Sequence, residues 1–179
     1  MAVRTIRTYG DPVLRAPSKP VTDFSADFAA LKQDMIDTCL AAEGLGLAAP
    51  QIGVGQRIIY VDLTPYEPTF VPLFLFNPRI LDTNGRIVRE EGCLSFPGLS
   101  EEVARPAFVR AQFEDESGAT HTVEASGLYA RCIAHEIDHL NGVLIVDHLS
   151  TVRRQLLRGS LKRIRSGETP SATADLARG

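Results

Sequence analysis

The stretch Arg131-Cys132-Ile133-Ala134-His135-Glu136-Ile137-Asp138-His139-Leu140 constrains this chain more than any other. Its apolar residues fall at helical spacing, and within them stands His-Glu-x-x-His. Side chains four apart lie one above the other on a helix face, so His135 and His139 present their imidazoles together. That pair can grip one metal ion. Glu136 lies beside them, placed to reach a metal-bound water instead of the metal. Two ligands and a general base form the pattern of a metal-dependent hydrolase. The plainer alternative is a buried helix whose polar groups are merely hydrogen-bonded. It is costly, because burying two imidazoles and two carboxyls this close together costs several kcal/mol unless something pairs them.

A chain of 179 residues is enough for one domain with a substantial core. Hydrophobic residues make up 44% and charged residues 23%, as in soluble globular proteins. A net charge of −3 gives no sign of a surface built for nucleic acid, so DNA is not an expected partner. Cys39, Cys93 and Cys132 are an odd set, against a disulfide framework and in keeping with a reducing compartment. No apolar run is long enough to span a membrane, and no apolar segment follows Arg4 and Arg7 as in a signal peptide. The expected location is the cytoplasm, with no membrane partner.

Residues 1–22 are rich in proline and read as an irregular surface segment, with at most a short turn at Pro12-Val13-Leu14. A helix is predicted from Ser25. Phe28, Leu31, Met35 and Cys39 form its apolar stripe, Asp23 or Ser25 its cap and Gly44 its end. Cys39 on that stripe reads as a small core residue. Gln56 to Leu63 and Leu73 to Phe76 read as strands, separated by a proline-rich loop. Arg79-Asp82 and Arg86-Arg89 flank Asn84-Gly85, a hairpin signal. Val103–Asp115 and Thr120–Glu124 read as an antiparallel pair turned at Glu116-Ser117-Gly118.

Past the motif helix, Val143–Val146 reads as a short strand. Ser150–Arg165 reads as a last helix, with Val152, Leu156, Leu157, Leu161 and Ile164 inward. Its other face carries Arg153, Arg154, Arg158, Lys162, Arg163 and Arg165. Gly159 weakens it by about 1 kcal/mol relative to alanine. The expected architecture is α+β: antiparallel or mixed sheets packed around the His-Glu-x-x-His helix, with helices near both ends. One catalytic domain over residues 1–166 and a disordered tail over 167–179 are expected.

A third ligand is needed, and Cys93 and Cys132 compete for the place. Cys132 is three residues before His135 on the same face. However, side chains lean towards the helix start, which makes its reach to a metal on the next turn awkward. Cys93 stands in Gly92-Cys93-Leu94, a segment open enough to aim a thiolate across a cleft. Spacing favours Cys93 and leaves Cys132 open. Gly44-Leu45-Gly46-Leu47-Ala48-Ala49-Pro50-Gln51 offers glycines where another chain can approach the backbone. Gln51 is its one side chain able to donate two hydrogen bonds, although this stretch alone favours a plain turn amide. A phosphate loop is a weak reading, since no Gly-Lys-Ser/Thr follows.

Three segments in this order carry a resemblance: Gly44–Gln51, then Glu91-Gly92-Cys93-Leu94-Ser95, then His135-Glu136-Ile137-Asp138-His139. The chain resembles the peptide deformylase family from Tyr9 to Leu149. The resemblance implies removal of the formyl group from N-formyl-methionyl peptides, releasing formate. It implies one metal held by Cys93, His135 and His139, with water as the fourth ligand. The ion would be Fe2+ first, with Zn2+, Ni2+ or Co2+ able to take the site. Glu136 would be the general acid and base, and Gln51 and the backbone N–H of Leu94 would hold the oxyanion. An extended peptide would pair with Leu45 and Gly46 on one side and Gly92 on the other, as an added strand. Leu128 and Cys132 would line the methionine pocket, although Cys132 reads equally as core. The basic last helix has a second reading in the family, docking to the ribosome; the plainer one is a solvated face.

Some positions depart from the family pattern. Arg131 and Arg89 stand near the methionine pocket where an apolar residue is common, and Ser100 stands where some members have a pocket-rim arginine. Arg105 is expected to pair with Glu91 and brace the Cys93 segment. A zinc peptidase shares His-Glu-x-x-His but wants a carboxylate or third histidine in place of Cys93. A metal-holding protein without catalysis would need neither Glu136 nor Gln51.

Overall fold

A computed structural model describes residues 2–24 and 28–169. Among them lie seven strands and four α-helices: α1 (Ala29–Ala41), β1 (Gly46–Ala48), β2 (Ile58–Val61), β3 (Leu73–Asn84), β4 (Ile87–Gly92), β5 (Ser100–Arg105), β6 (Phe108–Glu114), β7 (Thr120–Ser126), α2 (Gly127–Leu140), α3 (Thr151–Leu156) and α4 (Arg158–Arg165). The fold is α+β. One sheet runs β1-β2-β3-β6-β7, the other is β4-β5, and these strand pairings are antiparallel. A single parallel bridge joins Lys19 to Gln56. No helix among the described residues is long and apolar enough to cross a membrane.

Alternation along the strands explains the layers. In β2 all four residues are buried, because both faces are covered. Ile59 and Val61 meet Ala130, Ile133, Ile137 and Leu140 of α2 on one face. Ile58 and Tyr60 meet Met35 and Cys39 of α1 on the other. A third cluster joins Leu14, Phe96, Leu99 and Val103 to Leu144, Ile145, Val146, Leu157 and Ile164. The motif helix thus packs on the larger sheet, and ion pairs tie it to the two-stranded one.

The Asn84-Gly85 signal marks a bend instead of a hairpin. The segment 79–89 does not fold on itself: β3 pairs with β6 and β4 with β5. The strand expected over Val103–Asp115 is likewise two strands, interrupted at Pro106, which has no N–H for a ladder. The pairing continues across both interruptions, with Asn84 opposite Phe108 and Ile87 opposite Arg105. A long two-stranded ribbon therefore leaves the larger sheet, bends at Gly85 and Ala107, and ends in the turn that holds Cys93. The β6–β7 hairpin, turned after Asp115, has the expected pairing.

Other elements also differ from expectation. The start proposed at Ser25 lies outside the described residues; α1 is seen from Ala29, and Glu43 at φ 53, not Gly44, takes the left-handed turn at its end. Val143–Val146 is not a strand. A 3-10 helix runs over Ile145–His148 instead, with Leu144, Ile145 and Val146 all buried. The last helix breaks at Leu157, and Val152 and Leu156 face solvent. Its apolar residues form two stripes about 100° apart on a helical wheel, and only one, Leu157 with Leu161 and Ile164, meets the core. Gly167 and Glu168 close α4 with bonds to Ile164 and Arg163; the rest of the expected tail, from residue 170, lies outside the described residues.

The N-terminal segment is irregular but specifically bonded, with one 3-10 turn at Pro12–Leu14. Arg7 N–H donates to Gln51 O (2.7 Å), Tyr9 N–H to Ser95 O (2.9 Å) and Ser18 N–H to Leu140 O (2.9 Å). One strap thus touches all three motif segments.

The bend gives the first test. Gly85 has φ +66, and a Cβ there would stand 2.9 Å from the Ala107 Cβ. Gly85→Ala is expected to lower stability by about 1–2 kcal/mol, read as a lower urea midpoint with unchanged slope.

Candidate metal centre and active site

Three side chains converge at the end of the ribbon. The Cys93 Sγ lies 3.3 Å from His139 Nε2, and His139 Nε2 lies 3.2 Å from His135 Nε2. All three ligand atoms fall within 4.8 Å of one another, the spread of donors around one ion. The thiol drawn to the imidazoles is that of Cys93, because the turn after β4 aims it there. The Cys132 thiol points elsewhere and donates to Leu45 O (3.3 Å). Burial pushes the Cys132 thiol well above its ordinary pKa, with Glu136 adding to the shift, as suits a core thiol. All three cysteines are free.

The histidine helix starts on the other side of the cleft, where Gly127 turns the chain from β7 at φ +58. The His135 Nδ1 lies 2.7 Å from Glu91 Oε1. A carboxylate can only accept, so Nδ1 carries the proton and Nε2 keeps its lone pair for a metal. Burial alone would raise the Glu91 carboxyl, but hydrogen bonds from His135 and Arg105 and their charges hold it well below the usual range. Burial pushes the His139 imidazole well below its ordinary pKa and His135 adds to that, which keeps it neutral. Burial would lower His135 too, but Cys93 and Glu91 shift it upward. A thiol and two imidazoles whose ligand atoms converge in this way fit a divalent cation.

Glu136 is buried beside this cluster, and its Oε2 has no hydrogen-bond partner. Burial pushes its carboxyl up to about 7 against the pull of His135. The group is therefore poised to hold or release a proton near neutral pH. Its position depends on a glycine: a Cβ on Gly46 would lie 2.6 Å from Glu136 Oε1 and 2.9 Å from the Cys132 Sγ.

Gln51 is buried, in a 3-10 helix that follows β1. Its Oε1 accepts from Ala48 N–H (2.8 Å) and its Nε2 donates to Ser95 Oγ (3.2 Å). These partners fix which end of the amide faces the cleft, and the Nε2 stands 3.9 Å from the Cys93 Sγ. Leu94 follows Cys93 in the same turn, its side chain against Gly44.

A cleft of about 760 Å³ opens over these groups, bordered by Leu45 and Gly46 on one side and Gly92 on the other. β1 is an edge of the larger sheet and β4 belongs to the smaller one, so an extended chain has strand edges on both sides. Leu128, 41% exposed, lines the cleft, as does the buried Cys132. Residues that the sequence left unplaced also belong here. Ser95 holds Gln51, and Arg131, read as a departure near the methionine pocket, is bonded to Glu91 at 2.5 Å. Arg105 does pair with Glu91, at 2.7 Å. Period-two alternation in β5 was the available signal, since it turns Glu101, Val103 and Arg105 inward together.

Comparison with known proteins agrees with this geometry. A family model described as polypeptide deformylase matches residues 3–155. A peptide deformylase of Afipia carboxidovorans is 48% identical over 155 residues, 86% of this chain and 91% of that protein. One from Thermodesulfovibrio yellowstonii is 41% identical over 162 residues, 90% of this chain and 98% of its own length. The crystal structure of a Thermus thermophilus peptide deformylase superposes with a TM-score of 0.85 at 40% identity, covering 93% of this chain and 99% of that one. A Synechococcus elongatus peptide deformylase solved with actinonin gives 0.79 at 39% identity, covering 92% and 88%.

Metal content separates the two cysteines. Cys93→Ala and His139→Ala are each expected to reduce bound metal, after dialysis, from about one ion per chain to near zero, while Cys132→Ala keeps it. Loss in Cys132→Ala and retention in Cys93→Ala would exchange their roles.

Proposed function

Because the chain belongs to the polypeptide deformylase family, we propose that Cys93, His135 and His139 hold its catalytic metal and that Glu136, Gln51 and the Leu94 N–H do the chemistry around it. The reaction comes with the family: a metal-dependent hydrolase removes the N-formyl group from the amino terminus of nascent polypeptides. The observation that carries the assignment is the gathering of three ligand atoms within 4.8 Å beside a buried carboxylate oxygen without a partner.

A formamide is a poor electrophile, so it needs an activated nucleophile and a stabilised oxyanion. When bound, the divalent ion lowers the pKa of water towards neutrality and polarises the formyl oxygen. Glu136 takes the proton of the attacking water and passes it to the leaving amine nitrogen, whose departure releases formate. Gln51 Nε2 and the Leu94 N–H donate to the oxygen that gains charge. Gln51 reaches it without reorganisation, since Ala48 and Ser95 already hold its amide. The main chain of Leu45, Gly46 and Gly92 aligns the peptide, and Leu128 and Cys132 flank its first side chain. Backbone pairing reads no sequence, which suits a substrate set as broad as newly made proteins.

Fe2+ is the proposed ion, with Zn2+, Ni2+ or Co2+ able to occupy the same donors; a thiolate with two imidazoles accepts all four. Residues 1–166 are proposed as the single catalytic domain, since the three core clusters share its elements. The cytoplasm is the proposed location, because formyl-methionyl chains arise at the ribosome. Docking there through the basic face of α3 and α4 is proposed too. Of that face, Arg153 pairs with Glu101, Arg165 lies over the Tyr9 ring and Arg163 is also engaged, while Arg154, Arg158 and Lys162 are exposed.

Formate release from formyl-Met-Ala-Ser tests the catalytic assignment. Glu136→Ala is expected to lose roughly 100- to 10,000-fold in rate with its metal retained. Gln51→Ala is expected to lose about 100- to 1,000-fold in kcat. A filled metal site without formate release would favour a peptidase, detected as casein cleavage, or a binding protein. Ribosome docking is tested by reversing Arg154, Arg158 and Lys162 to glutamate. Co-sedimentation at low salt is expected to be lost in that variant, and in the wild type to fall steeply as salt rises; equal sedimentation of both would sink it.

A further inference from the structure

Arg131 has no part in the chemistry above, yet it is buried in the cleft wall at 8% exposure. A guanidinium in such a place is costly unless each face of its fork meets an acceptor. Here it does. Nη1 donates to Glu91 Oε2 (2.5 Å), and Nη2 donates to Val103 O (3.1 Å) and Ile87 O (3.3 Å). These acceptors lie on both strands of the two-stranded ribbon, while Arg131 stands on α2, one turn before His135.

The ribbon ends in Cys93, and α2 carries the two histidines, so whatever sets ribbon against helix sets the three ligands against one another. The polar ties between the two near His135 fall on either side of it. One turn before lies Arg131 on Glu91; three residues after, Asp138 pairs with Arg105 of the ribbon. Between them Glu91 Oε1 accepts from His135 Nδ1. Arg131 is the tie that occupies Glu91 Oε2 from the helix side, so it keeps that carboxylate from turning away from the imidazole.

We propose that Arg131 is a positioning residue of the metal centre: by clamping Glu91 and both ribbon strands to the histidine helix it fixes Cys93 and His135 at metal-binding separation. This rests on the ligand assignment above. Arg131 touches neither the reacting atoms nor the ligand atoms, and it acts through Glu91.

Zinc-loaded protein challenged with excess chromogenic chelator tests this directly, because the readout is zinc release and not turnover. Arg131→Met keeps the length of the side chain and removes its donors. It is expected to release zinc about 10-fold faster than wild type. If that variant fails to fold, Arg131→Lys, which keeps a cation on Glu91 but loses the fork, is expected to release zinc about threefold faster. Arg153→Met supplies the comparison, since Arg153 ties Glu101 of the same ribbon to α3, away from the ligands (2.6 and 2.8 Å). It is expected to release zinc at the wild-type rate. A merely structural effect is separated by a cycle. In a Glu91→Gln background, Arg131→Met is expected to add less than about twofold, because the pathway through the carboxylate is already gone. Release at the wild-type rate, or the full factor persisting in the Glu91→Gln background, would overturn the inference. A wild-type chain that holds no zinc would overturn the ligand assignment as well.

Discussion

The buried carboxylate of Glu91 is the interaction on which the site depends. It accepts from two guanidiniums and one imidazole, which come from β5 and from two turns of α2. A lone carboxylate at that depth would protonate; these donors hold it ionised, and an ionised carboxylate fixes the His135 tautomer. The His135 Nε2 is thereby turned towards His139 and Cys93. A single buried charge thus joins the strand that leads to the thiolate and the helix that carries the imidazoles. The cluster is all or nothing in character. Removing one donor leaves the others facing an imperfectly compensated charge, which costs far more than an exposed ion pair of the same length.

The same logic explains why the motifs can be so far apart in sequence. Cys93 lies 42 residues before His135 and Gln51 another 42 before Cys93. Bringing such segments together requires rigid carriers. The bent ribbon carries one, the sheet-packed helix another, and β1 with its following turn the third. The strap at Arg7 and Tyr9 then staples the Gln51 turn to the Ser95 turn through main-chain bonds, with the Tyr9 ring tilted against that of Phe96 (5.1 Å between ring centres). Main-chain bonds ask nothing of the side chains, and this is why residues 1–22 read as irregular although they tie the Gln51 and Ser95 turns together.

What was legible in the sequence follows a physical divide. Helical spacing of apolar residues identified α1 and α2, and a β-branched, aromatic run identified β2, which is buried on both faces. Asn84-Gly85 misled for a definite reason: the dipeptide specifies a backbone bend but not which strands pair across it, and the β6 partners of β3 lie 24 to 38 residues and the partners of β4 8 to 18 residues away along the chain. Val152 and Leu156 misled because a helix with two apolar stripes does not say which one the core takes. In the site, the three motif segments were visible as residue types, and the side chains of Cys93, His135 and His139 do converge. The ties between segments were not. Gln51 to Ser95 and Arg131 to Glu91 are long-range pairs, and no local pattern encodes a partner about forty residues off.

Gly46 shows how the remaining demands meet in one position. Its strand, β1, is an open edge at the border of the sheet, where an extended chain has room to pair. Glu136 needs to sit against something that neither hydrogen-bonds it nor displaces it, so that its free oxygen stays available for a proton. A backbone without a side chain does both. Any Cβ at this place would lie 2.6 Å from the carboxylate and 2.9 Å from the Cys132 sulfur, neither of which can retreat into a packed helix. The glycine is therefore dictated by the Glu136 carboxyl and the Cys132 sulfur beneath it, and the close approach of β1 to α2 follows from it. That approach in turn excludes water from the Glu136 carboxyl, and burial is the largest cause of its raised pKa.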